Sequence, residues 1–373
     1  MASEEIIQLE SLLSPISDDN PVGDDIRNDP SPISPYYTIK DARNAARAAE
    51  RNNMFDGDSS EADDQWRKII DLAPDILQNQ AKDLEVASWY TEALIRRYGF
   101  QGLRDGFKLI QGLIDQYWDN LYPLPDEDGV ETRVASLTGL NGEGAEGVLI
   151  APIRNVELTQ GNEPGPFSFW RYQQALDIEK IIDEEAKADK ASKLGFSNED
   201  VERAVSESSE EFFVNIRDDV TTCIDTFREI GTKLDEYCGI NDAPPISNII
   251  NILTDCQGAI NHIGKYKIPS DDVADAEGDS AENTGDSADG SGAPAAQQAG
   301  GPVKTRAEAF KKLIEISEFF RKTEPHSPIS YILERAVKWG DLPLDALMRE
   351  LIPDSSSRDF YGSLTGVKTD DDD

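Results

Sequence analysis

The sequence predicts an all-α protein with a multi-helix N-terminal domain, a helical hairpin middle region, a flexible acidic linker and a small helical C-terminal module. Three observations predict this organisation. Apolar residues recur every three or four positions between residues 64 and 123, and the same spacing returns between residues 216 and 263. Residues 270–303 contain no aromatic residue and separate these segments from a final helical pattern. A period near 3.6 places each apolar set on one helix face. We therefore expect domains over 1–160, 161–268, 269–303 and 304–373.

The N-terminal domain is expected to begin with a helix over residues 5–13, followed by a fixed turn at Pro21 and Gly23. A second helix is expected over residues 36–51, and residues 56–64 are expected to form a loop. Pro74 is expected to kink or break the helix that follows. Three successive apolar faces are formed by Trp66, Ile69, Ile70, Ala73, Ile76 and Leu77, by Leu84, Ala87, Thr91, Leu94, Ile95 and Tyr98, and by Leu103, Phe107, Ile110, Ile114 and Tyr117.

The middle region is expected to form a helical hairpin. Val148–Ile150 is the only strand-like piece before it, and the Gly/Pro-rich residues 161–166 indicate a connection between domains. Trp170 is expected to lie in this connection and is an interface candidate, because linkers rarely bury their own aromatic residues. Ser197 and Asp200 have the spacing of a helix-starting box. A short Gly/Pro turn separates two apolar seams, which predicts that their helices pack against each other. The seams are Ile216, Val220, Cys223, Phe227, Ile230, Leu234 and Tyr237, and then Ile246, Ile249, Leu253, Cys256, Ile260 and Ile263.

The C-terminal module has clear helix signals. Thr305 and Glu308 form a capping box, and the helix behind them carries Phe310 on an apolar face that ends at Pro325. Ser327 caps a second helix with Pro328 at its first position, Gly340 is expected to close it, and a third helix is expected over residues 344–351. Three short helices cannot cover their own apolar faces, so we expect self-association or docking. The linker before them has a random-coil span of roughly 30 Å.

Charge and composition exclude several classes of function. The formal net charge is −37, and residues 1–269 carry 25 basic and 51 acidic residues, a net of −26. The negative electrostatic field of such a chain repels nucleic acid. The charge serves either to keep the protein soluble or to form an acidic docking face. No apolar run approaches the roughly 18–20 residues that span a bilayer, and the first residues lack the basic region of a signal peptide. Three widely spaced cysteines predict a reducing cytoplasm rather than a disulfide framework.

The residues support no active site. The chain has two histidines. His262 is expected at the edge of a core, and His326, beside Glu324 and Ser327, is interpreted as part of a helix boundary rather than a catalytic group. Residues 56–67 begin like a calcium loop, but the sixth position is Glu61 and the twelfth is Arg67, so the motif fails. No Cys/His spacing predicts zinc, and no glycine-rich segment predicts a phosphate loop. We therefore expect no cofactor, no metal and no enzymatic activity.

Several sequence motifs contain residues that the packing of helices alone does not require. They are Pro21-Val22-Gly23-Asp24-Asp25-Ile26-Arg27, a helix led by Trp66, the helix start Lys82-Asp83-Leu84, and Tyr117-Trp118-Asp119 before a proline-rich loop. Together they resemble the N-terminal domain of the TssA (ImpA) family of type VI secretion proteins, with Ile26 in place of the usual leucine. Arg306 and Ala309, the phrase Glu324-Pro325-His326-Ser327-Pro328, and Leu333 with Arg335-Ala336 are similar to the C-terminal helices of the shorter members. Those members are associated with the secretion baseplate, and the acidic linker is not part of the pattern.

The resemblance implies a non-enzymatic assembly component in the cytoplasm, associated with a membrane-anchored secretion complex. Its partners would be baseplate, tube and sheath proteins, and residues 310–351 would carry self-association. The alternative is a monomeric acidic adaptor or chaperone-like binder of a basic client. Lys82 and Asp83 are either a helix start that binds a neighbouring loop or a partner contact. Trp66 and Trp118 are more typical of a core than of a contact surface.

Overall fold

A computed structural model of the chain describes residues 2–56, 59–127, 129–161, 163–239, 242–268, 306–323, 329–341 and 347. The chain divides into two compact units, Met1–Asp279 and Ser280–Asp373. The described residues form α-helices and one 3-10 turn, and β-bridges occur among them only as isolated pairs. The predicted all-α class is confirmed.

The first unit contains eleven of the helices formed by the described residues. They are α1 (Leu9–Leu13), α2 (Pro35–Asp56), α3 (Ser60–Asn79), α4 (Leu84–Tyr117), α5 (Glu131–Asn141), α6 (Ile150–Asn155), α7 (Phe169–Glu179), α8 (Glu184–Leu194), α9 (Asn198–Glu207), α10 (Glu210–Cys238) and α11 (Ser247–Ile263). The 3-10 turn (Ile26–Asn28) lies between α1 and α2. The second unit contains α12 (Arg306–Thr323) and α13 (Ile329–Asp341).

Helix α4 is the centre of the first unit. It contacts α1, α3, α5, α6 and α10, and its middle residues are buried on every side. Gly99 interrupts it with φ 61° and ψ −140°, so its two segments correspond to the two helices that the apolar pattern predicts. The rings of Phe107 on α4 and Phe227 on α10 stack with their centroids 4.6 Å apart. The helix therefore contributes side chains to the core in several directions rather than along one face.

The predicted pairing of α10 with α11 is present, and Cys223 and Cys256 are buried along it. Helix α10 also packs along α4, so the segments on both sides of residue 160 belong to one compact unit. The domain boundary expected at residue 160 therefore does not separate two compact units. Ser197 and Asp200 form the predicted capping box at the start of α9. The linker expected over 269–303 lies outside the described residues.

A polar clasp joins the N-terminal arm, residues 3–6, to both α4 and α10. Arg104 is almost fully buried, and its Nη1 donates to the Ser3 carbonyl and to Asp219 Oδ1, each at 2.6 Å. Its Nε donates to Asp105 Oδ1 at 2.8 Å. The Ser3 hydroxyl donates to Asp219 Oδ2 at 2.6 Å. Two buried carboxylates and one buried guanidinium thus share partners, as buried charges must.

Several predicted boundaries differ from the structure. Helix α1 begins at Leu9 rather than residue 5, and α2 extends to Asp56. Helix α3 begins at Ser60, so most of the loop expected over 56–64 is helical. Pro74 lies inside α3 without ending it. Apolar residues before and after Pro74 are buried, and their packing outweighs the one hydrogen bond that proline removes.

The region after residue 123 differs most from expectation. No strand forms at Val148–Ile150, because residues 148–149 lie in a turn and Ile150 starts α6. The apolar pattern does not predict helices α5 to α8, which are all short. Trp170 lies in α7 and not in a linker. In the second unit α13 continues past Gly340 to Asp341. Thr305 and the end of the chain lie outside the described residues, and so does the third expected helix except for Leu347.

Candidate functional site

The phrases that carry the family resemblance meet at the start of α4. The Lys82 amide donates to the Val22 carbonyl at 2.8 Å, and the Asp24 amide donates to the Gln80 carbonyl at 3.1 Å. Gly23 has φ 73°, and a Cβ placed on it would lie 1.9 Å from the Gln80 carbonyl oxygen. Only glycine fits this close approach of two backbones. Pro21 stands at the exposed start of the same turn.

The other side of this segment is bound by the loop after α4. The Leu84 amide donates to the Tyr122 carbonyl at 2.7 Å, and the Tyr122 amide donates to the Lys82 carbonyl at 3.1 Å. Residues 82–84 are thus held between the Pro21–Gly23 turn and the loop that follows Trp118. This pairing brings together three phrases that are separated in the sequence.

Lys82 is fully buried. Its Nζ donates to the carbonyl oxygens of Leu12 and Leu77, each at 2.7 Å. Burial lowers its pKa from the usual 10.5 to about 8. Lys82 therefore ties α1 and the end of α3 to the start of α4, which favours the structural interpretation over a partner contact.

Asp83 links the start of α4 to the 3-10 turn. Its Oδ1 accepts from the Val86 amide at 3.0 Å and so caps the helix. The same carboxylate receives both terminal nitrogens of Arg27, at 2.6 Å and 3.3 Å. Arg27 Nη2 also donates to Glu85 Oε2 at 2.6 Å. Asp83 is fully buried, so this two-pronged pair holds the turn against α4 in a region of reduced solvent screening.

Arg27 and Tyr36 keep their protons over the whole physiological range. Burial alone would lower the pKa of Arg27, but the charges of Asp83 and Glu85 raise it above its usual value. Burial and the charge of Glu85 raise the pKa of Tyr36 to about 12. The Arg27 guanidinium lies 4.8 Å from the Tyr36 ring centroid, and the Tyr36 hydroxyl donates to Glu85 Oε2 at 3.2 Å.

A cleft of about 530 Å³ opens directly beside this cluster. We call it the motif cleft, and its lining residues are Asp25, Arg27, Tyr36, Glu85, Pro123, Leu124, Asp126, Thr132, Ala135 and Ser136. Its volume falls within the range of ligand-binding clefts, roughly 300–1,000 Å³. Three acidic residues and one basic residue line it, so the formal charge of its lining is −2. Leu124 at its edge is 47% exposed.

The predicted tryptophan sites have different surroundings. Trp66 is buried, and its Nε1 donates to Glu50 Oε1 at 2.7 Å. Trp118 is half-buried and stacks on Tyr237 with the ring centroids 4.8 Å apart. Trp170 is 48% exposed on α7. Trp66 therefore has the core position that its residue type favours, and Trp170 is the most accessible of the three.

The second unit presents apolar side chains to solvent. Helices α12 and α13 contact each other, and the Ser317 hydroxyl donates to the Ser330 carbonyl at 2.8 Å. Phe310 is half-buried, and the Arg335 guanidinium lies 5.3 Å from the Trp339 ring centroid. Glu324, Pro325, Ser327 and Pro328 lie outside the described residues. Among the described side chains of the two helices, five large apolar ones are exposed: Ile314, Ile316, Phe319, Tyr331 and Ile332.

Sequence reasoning missed two groups of residues. Glu85 and Asp126 border the motif cleft, but in so acidic a chain a single carboxylate carries no signal of its own. Arg104 and Asp219 form the clasp. In the sequence, the only signal for them is that each is a charged residue within an apolar helical pattern. Within the described parts of the chain, no group of three His, Cys, Asp or Glu side chains could hold a metal ion. Likewise, no described helix has the length and apolar character that a membrane span requires.

Comparisons with known proteins agree on one family. The family described as "ImpA, N-terminal, type VI secretion system" matches residues 13–142. The type VI secretion system component TssA1 of Pseudomonas aeruginosa is 23% identical over 362 residues, which cover 96% of this chain and 98% of that protein. A solved structure of the N-terminal domain of the TssA component from Burkholderia cenocepacia, including its ImpA_N region, matches 72% of this chain and 98% of its own length. Its TM-score is 0.58 and its identity is 26%. Residues 13–142 therefore form a domain of the ImpA N-terminal family of type VI secretion systems, and the chain over nearly its whole length is similar to a TssA protein.

Proposed function

We propose that the chain is a non-enzymatic assembly component of a bacterial type VI secretion system, acting at the baseplate to recruit or order baseplate, tube and sheath components. The observation that carries the proposal is the match over 96% of the chain to a protein named as a component of that system. In this proposal the first unit provides rigid binding surfaces. The second unit provides self-association.

The exposed side chains of α12 and α13 support self-association. Phe319 is 61% exposed and Tyr331 is 63% exposed, although the two helices already pack against each other. Exposed apolar surface on so small a unit favours association, because a second surface that covers it removes it from water. A second copy of the chain supplies the same apolar helices, and repeated contacts of one kind produce a symmetric assembly.

Truncation tests the self-association. A chain that ends at Gly301 lacks α12 and α13 and keeps the whole first unit. We expect it to be a monomer by light scattering at concentrations where the intact chain is oligomeric. An unchanged oligomer would place the self-association in the first unit instead.

Imaging in cells tests the baseplate assignment. A fluorescent fusion of the chain is expected to form foci in cells that lack the sheath protein, because the baseplate precedes the sheath in this proposal. Foci should disappear in cells that lack a baseplate protein. Foci that require the sheath would contradict a baseplate role and favour a role on the growing sheath.

The net charge of −37 favours a second candidate, a monomeric acidic adaptor for a basic client. Such binding would weaken steeply as salt is raised, because exposed charges are screened within about 10 Å at 0.1 M salt. An apolar self-assembly would resist the same change. An oligomer that persists as salt is raised therefore supports the first candidate, and a monomer that loses its basic client as salt is raised supports the second.

A further inference from the structure

We propose that the motif cleft binds a Lys or Arg side chain on a segment of a partner protein, with an adjacent apolar side chain of that segment resting on Leu124. This inference rests on the proposed function only in taking the ligand to be a protein. It adds a site and a ligand chemistry that the family assignment does not contain.

The positive group inside the cleft is already neutralised. Arg27 Nη1 contacts Asp83 at 2.6 Å and Asp25 at 3.3 Å, and Arg27 Nη2 contacts Glu85 at 2.6 Å. Both terminal nitrogens therefore have carboxylate partners. An anionic ligand would have to displace these contacts and approach a lining with a net charge of −2, so anions are disfavoured.

Carboxylate oxygens remain available to a cation. Glu85 accepts from Arg27 and from the Tyr36 hydroxyl through Oε2 alone, and no donor among the described residues reaches its Oε1. Asp25 accepts from the Arg27 amide and guanidinium through Oδ1 alone. Both residues line the cleft and are partly exposed. A charge-assisted hydrogen bond to each oxygen is the contact that an ammonium or guanidinium group supplies.

The surrounding contacts hold this arrangement in place before a ligand arrives. The Arg27–Asp83 pair fixes the 3-10 turn on α4, and the Tyr36 hydroxyl donates to the same Glu85 oxygen as Arg27. Residues held in one geometry lose little entropy on binding, so even a single salt bridge contributes usefully to affinity. The field of the acidic first unit also raises the local concentration of basic segments.

The shape of the cleft favours a side chain over a bare metal ion. The cleft volume is about 530 Å³, and within the described residues no three metal-binding side chains converge. Leu124 and Pro123 add an apolar edge, which a metal ion would not use. A basic residue beside an aliphatic or aromatic residue matches both the carboxylates and this edge.

The test uses a phage library of random heptapeptides selected on the intact chain at about 150 mM salt, where long-range attraction between exposed charges is screened. Three variants serve as further baits. Glu85→Gln with Asp126→Asn removes two charges from the cleft. Ala135→Trp fills the cleft from an exposed position on α5. Glu184→Gln with Glu185→Gln removes two charges from exposed positions on α8 and is the matched control.

We expect enrichment of peptides that place Lys or Arg beside an apolar residue. The most enriched peptide should bind the charge-depleted cleft about tenfold more weakly, since a hydrogen bond to a charged group contributes about 1.5–3 kcal/mol. It should lose measurable binding to the Ala135→Trp variant and change less than about twofold on the α8 control. Replacing its basic residue with norleucine should have the same effect as depleting the cleft charges.

Equal weakening on the α8 control would overturn the proposal, because it would show attraction to the acidic surface as a whole. Enrichment of acidic peptides, or of none, would also overturn it. These outcomes are separate from the proposed function. If the intact chain assembles normally but binds no peptide through the cleft, only the cleft proposal is contradicted. Equal thermal unfolding temperatures for all baits exclude misfolding.

Discussion

At the scale of single residues, Gly23 shows how a backbone contact requires one amino acid. The turn at Gly23 brings Val22 and Asp24 into hydrogen bonds with the segment before α4, and no room remains for a side chain. Proline at position 21 and glycine at position 23 are predictable from the sequence as a turn. Its partner, residues 80–82, becomes visible only in the structure.

We predict that Gly23→Ala lowers the free energy of unfolding by about 3 kcal/mol, because it adds strain at positive φ and a clash with the Gln80 carbonyl. Urea unfolding followed by circular dichroism measures the change. Gly139→Ala is the control, because Gly139 lies inside α5 and a methyl group added to it would meet nothing within 4 Å. That substitution should stabilise the chain by about 0.5–1 kcal/mol.

Lys82 predicts a dependence of stability on pH. Its folded-state pKa of about 8 lies below the value of 10.5 expected for the unfolded chain, so the unfolded chain binds more protons between these values. The cost of burying the charge is fully present below pH 8. The free energy of unfolding should therefore gain a contribution of about 2 kcal/mol as the pH rises from about 7 to about 10.

The comparison of wild type with Lys82→Met isolates this contribution. The buried thiols of Cys223 and Cys256, whose pKa burial raises, act in the opposite direction but equally in both chains. The difference between wild type and Lys82→Met should change by about 2 kcal/mol over this pH range. Lys180→Met, at a largely exposed site, should show no such change. Parallel pH profiles for wild type and Lys82→Met would refute the assignment.

At the scale of elements, the docking of α10 on α4 depends on buried charge as well as on apolar packing. Phe107 and Phe227 supply the apolar contact, and Arg104 and Asp219 supply the ionic one. The N-terminal arm completes the clasp through Ser3. The sequence predicts the apolar seam through which α10 packs on α11, but it does not predict that α10 also packs on α4.

We predict that Asp219→Ala costs about 3–5 kcal/mol in the free energy of unfolding, because it leaves Arg104 buried with one of its carboxylates missing. Chemical denaturation measures this loss. Asp225→Ala on the same helix is the control, since that side chain is 65% exposed and its partner Arg228 is 4.0 Å away. Its effect should stay within about 0.5 kcal/mol, and a similar loss in both variants would contradict a special role for the clasp.

Helices with regular apolar spacing were predictable, and the others were not. The segments of α3, α4, α10 and α11 follow periods of three and four residues, so their existence follows from the sequence. Helices α5 to α8 are short. Helices α5, α6 and α7 are stabilised by the apolar residues that they bury, whereas α8 buries none of its residues and is capped by the Asp183 side chain. The same reasoning identified Asp83 and Arg27 as unusual. It could not find Glu85 or Leu124, because the cleft is created by the meeting of distant segments.

At the scale of the whole molecule, the two units have different surfaces. The first unit buries a large shared core and exposes large apolar side chains at scattered positions, whereas α12 and α13 expose several of them within two helices. Composition predicts a strongly acidic N-terminal part, with a net of −26 over residues 1–269, and a nearly neutral C-terminal part. The latter carries 11 basic and 10 acidic residues over 302–369, a net of +1. Low net charge reduces repulsion between copies, which suits a self-associating module.

We predict that Phe319→Ser weakens self-association by at least about tenfold, because burial of a large apolar side chain contributes about 1.5–3 kcal/mol. Sedimentation over a range of concentrations measures the change. Ile182→Ser is the matched control, since Ile182 is 96% exposed and lies in the first unit. Equal weakening in both variants would indicate a general effect of surface hydrophobicity.

The most direct test of the assembly role is the mass of the purified intact chain in solution, followed by electron microscopy of any large species. We predict a concentration-dependent oligomer that appears as a symmetric ring of several copies. A monomer at all concentrations would contradict it and would favour the adaptor, in which a partner rather than a second copy covers α12 and α13.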